Sequence, residues 1–413
     1  MKILWVKTGK ILPLDTGGKL RTYHILRHLS ANHDVTYLSY YGGSQDLNYE
    51  REISTVLPGA IPFFTGIPTP AGFNRVFDYV RRLPNSAPYS VSRFAAVGVR
   101  QMLRKWIPQR NFDMIICDFL APTPNFPRYL ATPCVLFQHN VESVLWKRRV
   151  QFESKFVHRM VANIECAKMV RYEARQIRRF HHTFVVSERD REAISTIVEP
   201  SRISVIPTGV DLTRYSYDPQ SRPAGPLVVF VGFMDWEPNI DGMEYFCGQI
   251  WPRVLERLPD ARFRIVGRDP RPSVKKLASP SIEVTGTVPS IINHLRDAAV
   301  VVVPLRIGSG TRLKIYEGMA MGKAMVSTTV GAEGLDVQHG KDILLADQPE
   351  QFADCIVTLL RDENERRRYE VAAAATARQY DWSVIADRFL NEMQRVCRSF
   401  SSRSHRLAVS AVA

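Results

Sequence analysis

Pro304-Leu-Arg-Ile-Gly-Ser-Gly-Thr-Arg-Leu-Lys-Ile-Tyr-Glu-Gly-Met-Ala-Met-Gly322 is the stretch from which the fold is predicted. Four valines, Val300 to Val303, precede it and predict a buried parallel strand, because no polar residue interrupts them. Gly308-Ser309-Gly310 predicts a flexible turn, residues 312 to 321 are good helix formers, and Gly322 is suited to end a helix. The stretch is therefore predicted to form a strand, a glycine turn and a helix.

The charges of this predicted helix suggest a binding site. Arg312 and Lys314 put two cations in the first turn, where the helix dipole and exposed backbone N–H groups favour anions. A phosphate group bound there would accept hydrogen bonds from the backbone and from both side chains. Glu317 lies one turn further along the same side, where its carboxylate can accept hydrogen bonds from ribose hydroxyls. A solvated ion pair on a surface helix would have the same residues, so both interpretations are open at this point.

The stretch resembles the nucleotide-sugar signature of family 4 glycosyltransferases, in the branch that reads G-x-G-T-R-L-K-x-x-E-x-M-A-x-G. The resemblance implies that Arg312 and Lys314 act in catalysis. It also implies that the donor is bound by Ser309, Gly310, Thr311 and Glu317. One position departs from the wider family pattern, which has a glutamate where this chain has Ser309. That glutamate is thought to contact the donor sugar, and we interpret the serine as a variant of the glycine-rich branch.

The composition limits the class of protein. A chain of 413 residues is too long for one ordinary core and predicts two domains of about 200 residues each. The six cysteines lack C-x-x-C spacing, which argues against a disulfide framework or a zinc site and favours a reducing cytosol. Lys7 ends the first apolar run well short of a signal-peptide core, and no segment approaches the roughly 20 apolar residues that span a bilayer.

The net charge of +14 is compatible with nucleic acid, an anionic lipid surface or an anionic small substrate as the partner. No nucleic-acid-binding motif accompanies the basic clusters, so they predict a peripheral contact with anionic lipid headgroups, with a solvated basic surface as the alternative. Residues 42–112, which several prolines interrupt, are predicted to be irregular and helical. Part of this segment suits a membrane interface, although ordinary core packing would also explain it. Its apolar and basic residues are Phe64, Ile67, Phe73, Val76, Phe77, Tyr79, Arg75, Arg81 and Arg82.

The first half of the chain opens with a predicted βαβ unit, in which Gly17 and Gly18 lie between a strand and a helix. The resemblance implies that these two glycines face the donor phosphates, although a plain turn would need them as well. A later strand, Cys134 to Phe137, runs into His139, Asn140 and Glu142. Ligands bind at the carboxyl ends of strands in open parallel sheets, although a lone histidine there is often structural. The string Q-H-N-x-E resembles the family's acceptor-domain motif, which implies that His139 is catalytic and lies near the transferred sugar, and that Asn140 and Glu142 are on the acceptor side.

The predicted domain boundaries follow from composition and from the resemblance. Residues 1–211 are predicted to form an acceptor-side domain, 212–226 a proline-rich linker and 227–380 the nucleotide-sugar-binding domain. A helix at 381–399 is predicted to pack back on the first domain, and 400–413 to be a disordered tail. Two further donor-binding residues are expected in the second domain: Gly232, which ends its first strand, and Glu333, in a loop that resembles the family's G-A-E-G-L.

Together these features predict an α/β fold of the GT-B type, with two Rossmann-like domains facing across a cleft. The resemblance implies a retaining glycosyltransferase that needs no cofactor or metal, because fixed positive charge stabilises the leaving diphosphate. The predicted donor is a UDP- or GDP-sugar. The predicted acceptor is lipid-linked or a polysaccharide, at the cytoplasmic face of the plasma membrane, in exopolysaccharide or cell-surface glycan biosynthesis. A sugar-nucleotide epimerase of the same fold and a noncatalytic polyanion-binding protein are the alternatives.

Overall fold

Through most of the described chain, strands are connected by helices. The strands form two separate parallel sheets. The computed structural model describes residues 1–68, 72–153, 155–307 and 312–410. The chain divides into a first unit, Met1–Pro207 together with the residues from Ile385 onward, and a second unit, Thr208–Val384. The predicted α/β class with two Rossmann-like domains is confirmed.

The first unit contains a seven-stranded sheet. Its strands are β1 (Lys2–Thr8), β2 (Asp34–Tyr41), β3 (Ala60–Phe64), β4 (Met114–Asp118), β5 (Cys134–Phe137), β6 (His182–Val185) and β7 (Ile203–Val205). Its helices are α1 (Gly17–Ser30), α2 (Leu47–Val56), α3 (Gly72–Arg82), α4 (Tyr89–Ser92), α5 (Val97–Gln109), α6 (Glu142–Phe152), α7 (Phe156–Arg179) and α8 (Glu188–Ser195). All pairs are parallel, in the order β3-β2-β1-β4-β5-β6-β7. The order reverses between β1 and β4, which is where ligands bind in sheets of this kind.

Strand β3 lies in a region that was predicted to be irregular and helical. Pro62 is accommodated because β3 is an edge strand, whose outer N–H groups need no partner in the sheet. Phe64, predicted as membrane-facing surface, instead packs on Tyr41 with ring centroids 5.6 Å apart. Ile67 packs against the hydrophobic core of the unit. Phe64 and Ile67 therefore take part in core packing, which was the alternative to a membrane surface.

Helix α3 has the opposite character, because none of its residues is buried. Phe73 is 85% exposed and Phe77 is 67% exposed, and Val76 and Val80 are exposed as well. These four positions have the i, i+3, i+4, i+7 spacing of one helix face. The apolar face of α3 is therefore open to solvent.

The second unit contains a six-stranded sheet. Its strands are β8 (Leu227–Val231), β9 (Arg262–Val266), β10 (Ile282–Gly286), β11 (Val300–Val303), β12 (Ala324–Ser327) and β13 (Leu344–Leu345). Its helices are α9 (Glu237–Tyr245), α10 (Trp251–Arg257), α11 (Pro272–Lys275), α12 (Ile292–Asp297), α13 (Leu313–Ala320), α14 (Pro349–Arg361) and α15 (Glu363–Arg378). All pairs are parallel, in the order β10-β9-β8-β11-β12-β13. The predicted buried strand is β11, and Gly322 follows α13 with a positive φ of 65°.

Helix α16 (Trp382–Ser410) extends through residues 400–410, for which a disordered tail was predicted, and residues 411–413 lie outside the described part of the chain. The serine hydroxyls of this segment bond within the helix: Ser401 Oγ donates to the Cys397 carbonyl at 3.1 Å, and Ser402 Oγ donates to the Arg398 carbonyl at 3.0 Å. Earlier in the helix, Phe389 stacks on Trp5 at 5.3 Å and so joins the first unit. Like the other helices in the described ranges, α16 is not apolar enough over a sufficient length to span a membrane.

Candidate functional site

Three ionisable side chains meet at the carboxyl ends of neighbouring strands in the first unit. Lys7 lies near the end of β1, Asp118 ends β4, and His139 follows β5. Lys7 Nζ lies 3.1 Å from Asp118 Oδ2, and His139 Nε2 lies 2.8 Å from Asp118 Oδ1. All three residues are buried. The Asp118 carboxylate therefore compensates buried positive charge at the edge of the sheet where ligands are expected.

Asp118 also joins the sheet to helix α1 and to the interior of β1. Trp5 Nε1 donates to Asp118 Oδ2 at 2.9 Å, and Thr22 Oγ1 donates to the same oxygen at 2.6 Å. Burial alone would raise the pKa of the Asp118 carboxyl, but the charges of Lys7 and of protonated His139, with hydrogen bonds from His139 and Thr22, outweigh burial and lower it. Asp118 is therefore ionised throughout the physiological pH range.

His139, predicted to be catalytic, has both ring nitrogens engaged by the protein. Arg21 Nη1 lies 3.0 Å from Nδ1, and because a guanidinium can only donate, Nδ1 must accept. The ring stacks on Phe119 with centroids 4.0 Å apart. Burial lowers the pKa of His139 to about 3, despite the opposing charge of Asp118, so the ring is neutral. The low pKa makes the ring a weak base, and in this structure Nδ1 accepts a hydrogen bond from Arg21.

Of the two glycines predicted in the first loop, Gly17 is the first residue of α1, and Gly18 packs directly against Phe119 and His139. A Cβ atom at Gly18 would lie 2.8 Å from Phe119 Cζ and 3.4 Å from His139 Nδ1. Glycine at this position is therefore required by close packing of α1 on the strand ends.

Lys7 and Asp118 were missed as site residues by the sequence analysis. The available signal was their position, because each is a charged residue at the end of an apolar strand, as His139 is. Arg21 gave no such signal, since it follows the glycine loop within an ordinary helical pattern.

Glu142, predicted on the acceptor side, starts helix α6 beside a second carboxylate. Glu173 Oε1 accepts from the Glu142 backbone N–H at 2.8 Å, and Glu173 Oε2 accepts from the Ser143 N–H at 3.0 Å. Glu173 therefore caps the start of α6. Burial, and then the charge of Glu173, raise the pKa of Glu142 to about 7. Asn140 is half-buried in the turn between β5 and α6.

Glu142 and Lys7 line a cavity of about 310 Å³, which we call the inner cavity. Phe119, whose ring stacks on His139, forms part of its wall, as do Phe94 and Ser90. The structure thus brings His139 and Glu142 to one region of the first unit, as their positions in the sequence predicted.

In the second unit, helix α13 starts directly after the buried Arg312. Lys314 Nζ donates to Asn239 Oδ1 at 3.1 Å and lies 4.1 Å from the centroid of the Phe230 ring. Gly232 lies against this lysine, because a Cβ atom there would be 2.7 Å from both Lys314 Nζ and Asn239 Nδ2. Two predicted site residues, Lys314 and Gly232, are therefore neighbours.

The two cations at the start of α13 lie among aromatic and polar side chains of the second unit. The Arg312 guanidinium lies 5.1 Å from the Trp236 ring centroid. Burial, followed by the positive charge of Arg312, lowers the pKa of Lys314 to about 7. Two neighbouring cations at the start of a helix suit an anion such as phosphate.

Glu317 lies one turn after Lys314 and is half-buried. Burial raises the pKa of its carboxyl, and a hydrogen bond from the Tyr215 hydroxyl and the nearby charge of Arg214 act in the opposite direction. Tyr215, Asn239 and Trp236 gave no signal in the sequence, because each becomes part of the site only through folding.

Glu333 lies in the loop after β12, at the carboxyl edge of the same sheet that Gly232 reaches from β8. This loop is tied to α13, since the Asp336 N–H donates to the Tyr316 hydroxyl at 3.2 Å. Ser309, Gly310 and Thr311, which were predicted to bind the donor, lie outside the described residues. Within the ranges that are described, no group of three or more His, Cys, Asp and Glu side chains is arranged to hold a metal ion.

Two family models match the chain, one over each half. Residues 16–214 match the model described as Glycosyltransferase Family 4. Residues 225–362 match the model described as Glycosyl transferases group 1. Together the two matches cover most of both units.

Curated relatives include a phosphatidyl-myo-inositol mannosyltransferase of Mycobacterium leprae, 29% identical over 206 residues. That alignment covers 48% of this chain and 54% of the relative, so the chain spans about half the length of the mycobacterial protein. An uncharacterized 44.6 kDa protein in the cps region of Klebsiella pneumoniae is 23% identical over 86% of this chain and 90% of its own length.

Among solved structures, Anabaena HepE in complex with UDP and glucose is similar, with a TM-score of 0.63 at 15% identity. The match covers 96% of this chain and 100% of HepE. The sucrose-phosphate synthase of Thermosynechococcus elongatus has a TM-score of 0.69 at 14% identity and covers 97% of this chain. At these identities the likeness shows the fold alone.

The buried charge cluster of the first unit yields a prediction for stability. Replacing Asp118 by Asn would leave Lys7 buried without its anion, so we expect a loss of about 3–5 kcal/mol in the free energy of unfolding. Urea denaturation followed by tryptophan fluorescence measures this loss. The matched control is Asp34→Asn, an exposed carboxylate at the start of β2, which should change stability by less than about 0.5 kcal/mol. Equal stability of the two variants would show that Asp118 does not hold the cluster together.

Proposed function

We propose that this chain, which belongs to the family 4 and group 1 glycosyltransferases, transfers a sugar from a nucleotide-sugar donor to a lipid-linked or glycan acceptor. The observation that carries the proposal is the cation pair at the start of α13, Arg312 and Lys314, held at the ligand-binding edge of a parallel sheet. A nucleoside diphosphate is the kind of anion that such a site suits. The likeness to HepE, which was crystallised with UDP, supports the same class of ligand.

In this proposal the two cations stabilise the leaving diphosphate. Negative charge develops on the phosphate as the bond to the sugar breaks, and fixed positive charge in a partly buried site stabilises it without reorganisation. Lys314 is oriented for this by Asn239, and Gly232 leaves room beside its amine. The positive charge that a divalent metal would supply is then provided by the chain itself. We therefore propose transfer that is independent of metal and of any other cofactor.

Glu317 is proposed to bind the donor ribose. Its carboxylate follows Lys314 by one turn, so a nucleotide with its diphosphate at the cations would extend its ribose along the same helix face. The Tyr215 hydroxyl that donates to the carboxylate helps to orient it. Two ribose hydroxyls can donate to one carboxylate, which gives a specific contact that does not depend on the base. UDP and GDP donors are both compatible with this arrangement.

The proposed stereochemical outcome is retention. The pKa of His139 is low and its Nδ1 accepts a hydrogen bond from Arg21, so we propose that another group takes the acceptor proton. The departing phosphate can take that proton itself, with the acceptor attacking on the face that the phosphate leaves. His139 and Glu142 are then assigned to the acceptor side, where they shape the inner cavity.

The proposed location is the cytoplasmic face of the plasma membrane. The open apolar face of α3 is bordered by the exposed Arg75 and Arg81. The neighbouring helix α7 also begins with exposed apolar side chains, Phe156, Val157 and Met160. The two helices adjoin, because Lys168 Nζ of α7 donates to the Leu83 carbonyl just after α3, at 2.6 Å. Apolar side chains with basic neighbours suit an anionic bilayer surface.

A role in exopolysaccharide or cell-surface glycan biosynthesis is proposed on the same basis. A membrane-bound acceptor explains why an enzyme with a buried donor site would also keep an apolar helix face exposed. The relative from the Klebsiella cps region, which matches over most of both chains, is consistent with this role.

Titration of UDP and GDP by calorimetry, with and without EDTA, tests the donor site. We expect one of them to bind equally well in both conditions, and Glu317→Ala to weaken binding at least tenfold, about 1.4 kcal/mol, because the ribose contact is lost. The matched control is Glu256→Ala, an exposed glutamate on α10 that should bind as the wild type does. Binding that EDTA abolishes would overturn metal independence. Failure of both nucleotides to bind would overturn the transferase proposal.

The pH dependence of nucleotide affinity tests the role of Lys314. Because its pKa in the free protein is about 7, the amine is charged below pH 7 and largely neutral above it, whereas a bound diphosphate would favour the charged form. Affinity should therefore fall above pH 7, by at most tenfold per pH unit, in a range where the diphosphate is already ionised. Calorimetry between pH 7.5 and about 9 measures the slope. Lys314→Arg stays charged throughout this range, so its affinity should not change with pH. If the affinity of this variant falls with pH as the wild type's does, Lys314 is not the source of the pH dependence.

Vesicle co-sedimentation tests the membrane surface. The wild type should bind phosphatidylglycerol vesicles better than phosphatidylcholine vesicles, because the apolar faces of α3 and α7 have basic neighbours. The double variant Phe73→Ser, Phe77→Ser should bind at least tenfold more weakly, since burying each phenylalanine contributes about 1.5–3 kcal/mol. Val371→Ser, at an exposed apolar position of α15 in the second unit, is the control. Equal binding by the wild type and the double variant would remove α3 from the membrane contact.

A further inference from the structure

A second cavity in the first unit, with a volume of about 630 Å³, adjoins the inner cavity. We call it the outer cavity. The two share Phe94 in their walls, and they also lie on consecutive residues, with Thr8 lining the inner cavity and Gly9 the outer one. The two cavities are therefore neighbours, and a ligand that spans both would pass beside Phe94.

The outer cavity combines aromatic walls with arginines. Tyr40, Tyr41 and Phe94 contribute rings, and Arg81, Arg82 and Arg93 contribute guanidinium groups. Arg82 is fixed in place, since its Nε donates to both Asp78 oxygens at 3.0 and 3.1 Å and its Nη1 donates to the Ser92 carbonyl at 2.9 Å. Asp78 is the carboxylate of the lining, so three cations and one anion leave a net charge of +2.

Arg81 and Arg93 can turn toward a ligand more easily than Arg82. Arg81 Nη2 lies 3.3 Å from Asp78 Oδ1, and its side chain is largely exposed. The Arg93 guanidinium lies 4.6 Å from the centroid of the Phe94 ring, which holds the group over the residue that the two cavities share. Guanidinium groups bind phosphate oxygens in pairs, with more geometric specificity than an ammonium group.

The outer cavity is also continuous with the apolar face of α3. Phe77 belongs to that face and lines the cavity, and Asn74 of the same helix lines it as well. Four features of the first unit therefore follow one another in space. They are His139 with its neighbour Phe119, the inner cavity, the arginine-lined outer cavity and the apolar face of α3.

We infer that the outer cavity is a binding site for the phosphate or diphosphate group of a lipid-linked acceptor, with Arg81 and Arg93 as its ligand-binding cations. This inference rests on the proposed function and specifies the acceptor class for the same site. The terminal sugar of the acceptor occupies the inner cavity, the phosphate occupies the outer cavity, and the lipid follows α3. A neutral polysaccharide acceptor would leave the arginines without a function.

Binding of soluble probes in the absence of vesicles tests the inference. The probes are farnesyl diphosphate, farnesol and inorganic pyrophosphate, titrated by calorimetry into the full chain. Farnesyl diphosphate should bind at least tenfold more tightly than farnesol or pyrophosphate, since it alone joins an apolar chain to the anion. Arg81→Ala and Arg93→Ala should each weaken its binding three- to tenfold, and thermal melts of each variant exclude unfolding. Arg75→Ala, an exposed arginine of α3 outside the lining of the cavity, should change it less than twofold.

Three outcomes would overturn the site. Farnesol binding as tightly as farnesyl diphosphate would show that no phosphate is recognised. Pyrophosphate binding as tightly as farnesyl diphosphate would point to a site for a free anion. Equal losses for Arg75→Ala and Arg93→Ala, in binding both to farnesyl diphosphate and to phosphatidylglycerol vesicles, would assign the arginines to bulk headgroup attraction.

The test is separable from that of the donor site. Neither Arg81 nor Arg93 is among the donor-binding residues, so UDP or GDP binding should be unchanged in these variants. Farnesyl diphosphate binding without any nucleotide binding would support the anion site and overturn the transferase proposal. Nucleotide binding without a preference for farnesyl diphosphate would support the transferase proposal and overturn the anion site.

Discussion

The ion cluster around Asp118 is the interaction on which the first unit depends. One buried carboxylate accepts hydrogen bonds from Trp5 and Thr22 and contacts Lys7 and His139, so it fastens helix α1 to the ends of three strands. Burying a carboxylate is costly unless positive charge and hydrogen bonds compensate it, and here they are supplied from several elements at once. The cluster forms only when those elements are in register, and it therefore fixes the shape of the inner cavity beside it.

In the second unit the main charged groups of the site are cations rather than a carboxylate. At the start of α13 the buried Arg312 and the half-buried Lys314 lie close together. Lys314 is held by an amide oxygen of Asn239, the face of Phe230 and the charge of Glu317 one turn away. Two neighbouring cations favour an anionic ligand, because an anion between them offsets their mutual repulsion. The fall in the pKa of Lys314 reflects its burial and that repulsion.

The first unit also exposes apolar surface that an ordinary soluble domain would bury. Helix α3 directs phenylalanine and valine side chains to solvent, while Phe77 connects this face to a cavity lined by arginines. Exposed apolar surface of this extent is destabilising in water unless it meets a partner. A lipid-linked anion at an anionic bilayer would cover the apolar face of α3 and pair with the arginines. The membrane contact and the acceptor site are therefore proposed together.

The sequence by itself determined the alternation of strands and helices, the buried valine strand, the glycine after α13 and the charged residues at strand ends. These features are local, because hydrophobic periodicity and glycine conformation depend on near neighbours. The edge strand with Pro62 and the helical end of the chain were missed, since each depends on position in the sheet or on bonding within a long helix. Only the tertiary structure decided that Asn239 meets Lys314, that Asp118 joins Lys7 to His139 and that the apolar face of α3 is open. The residues of each contact are tens to more than a hundred positions apart, and exposure is a property of what packs against a helix, so neither can be obtained from local pattern.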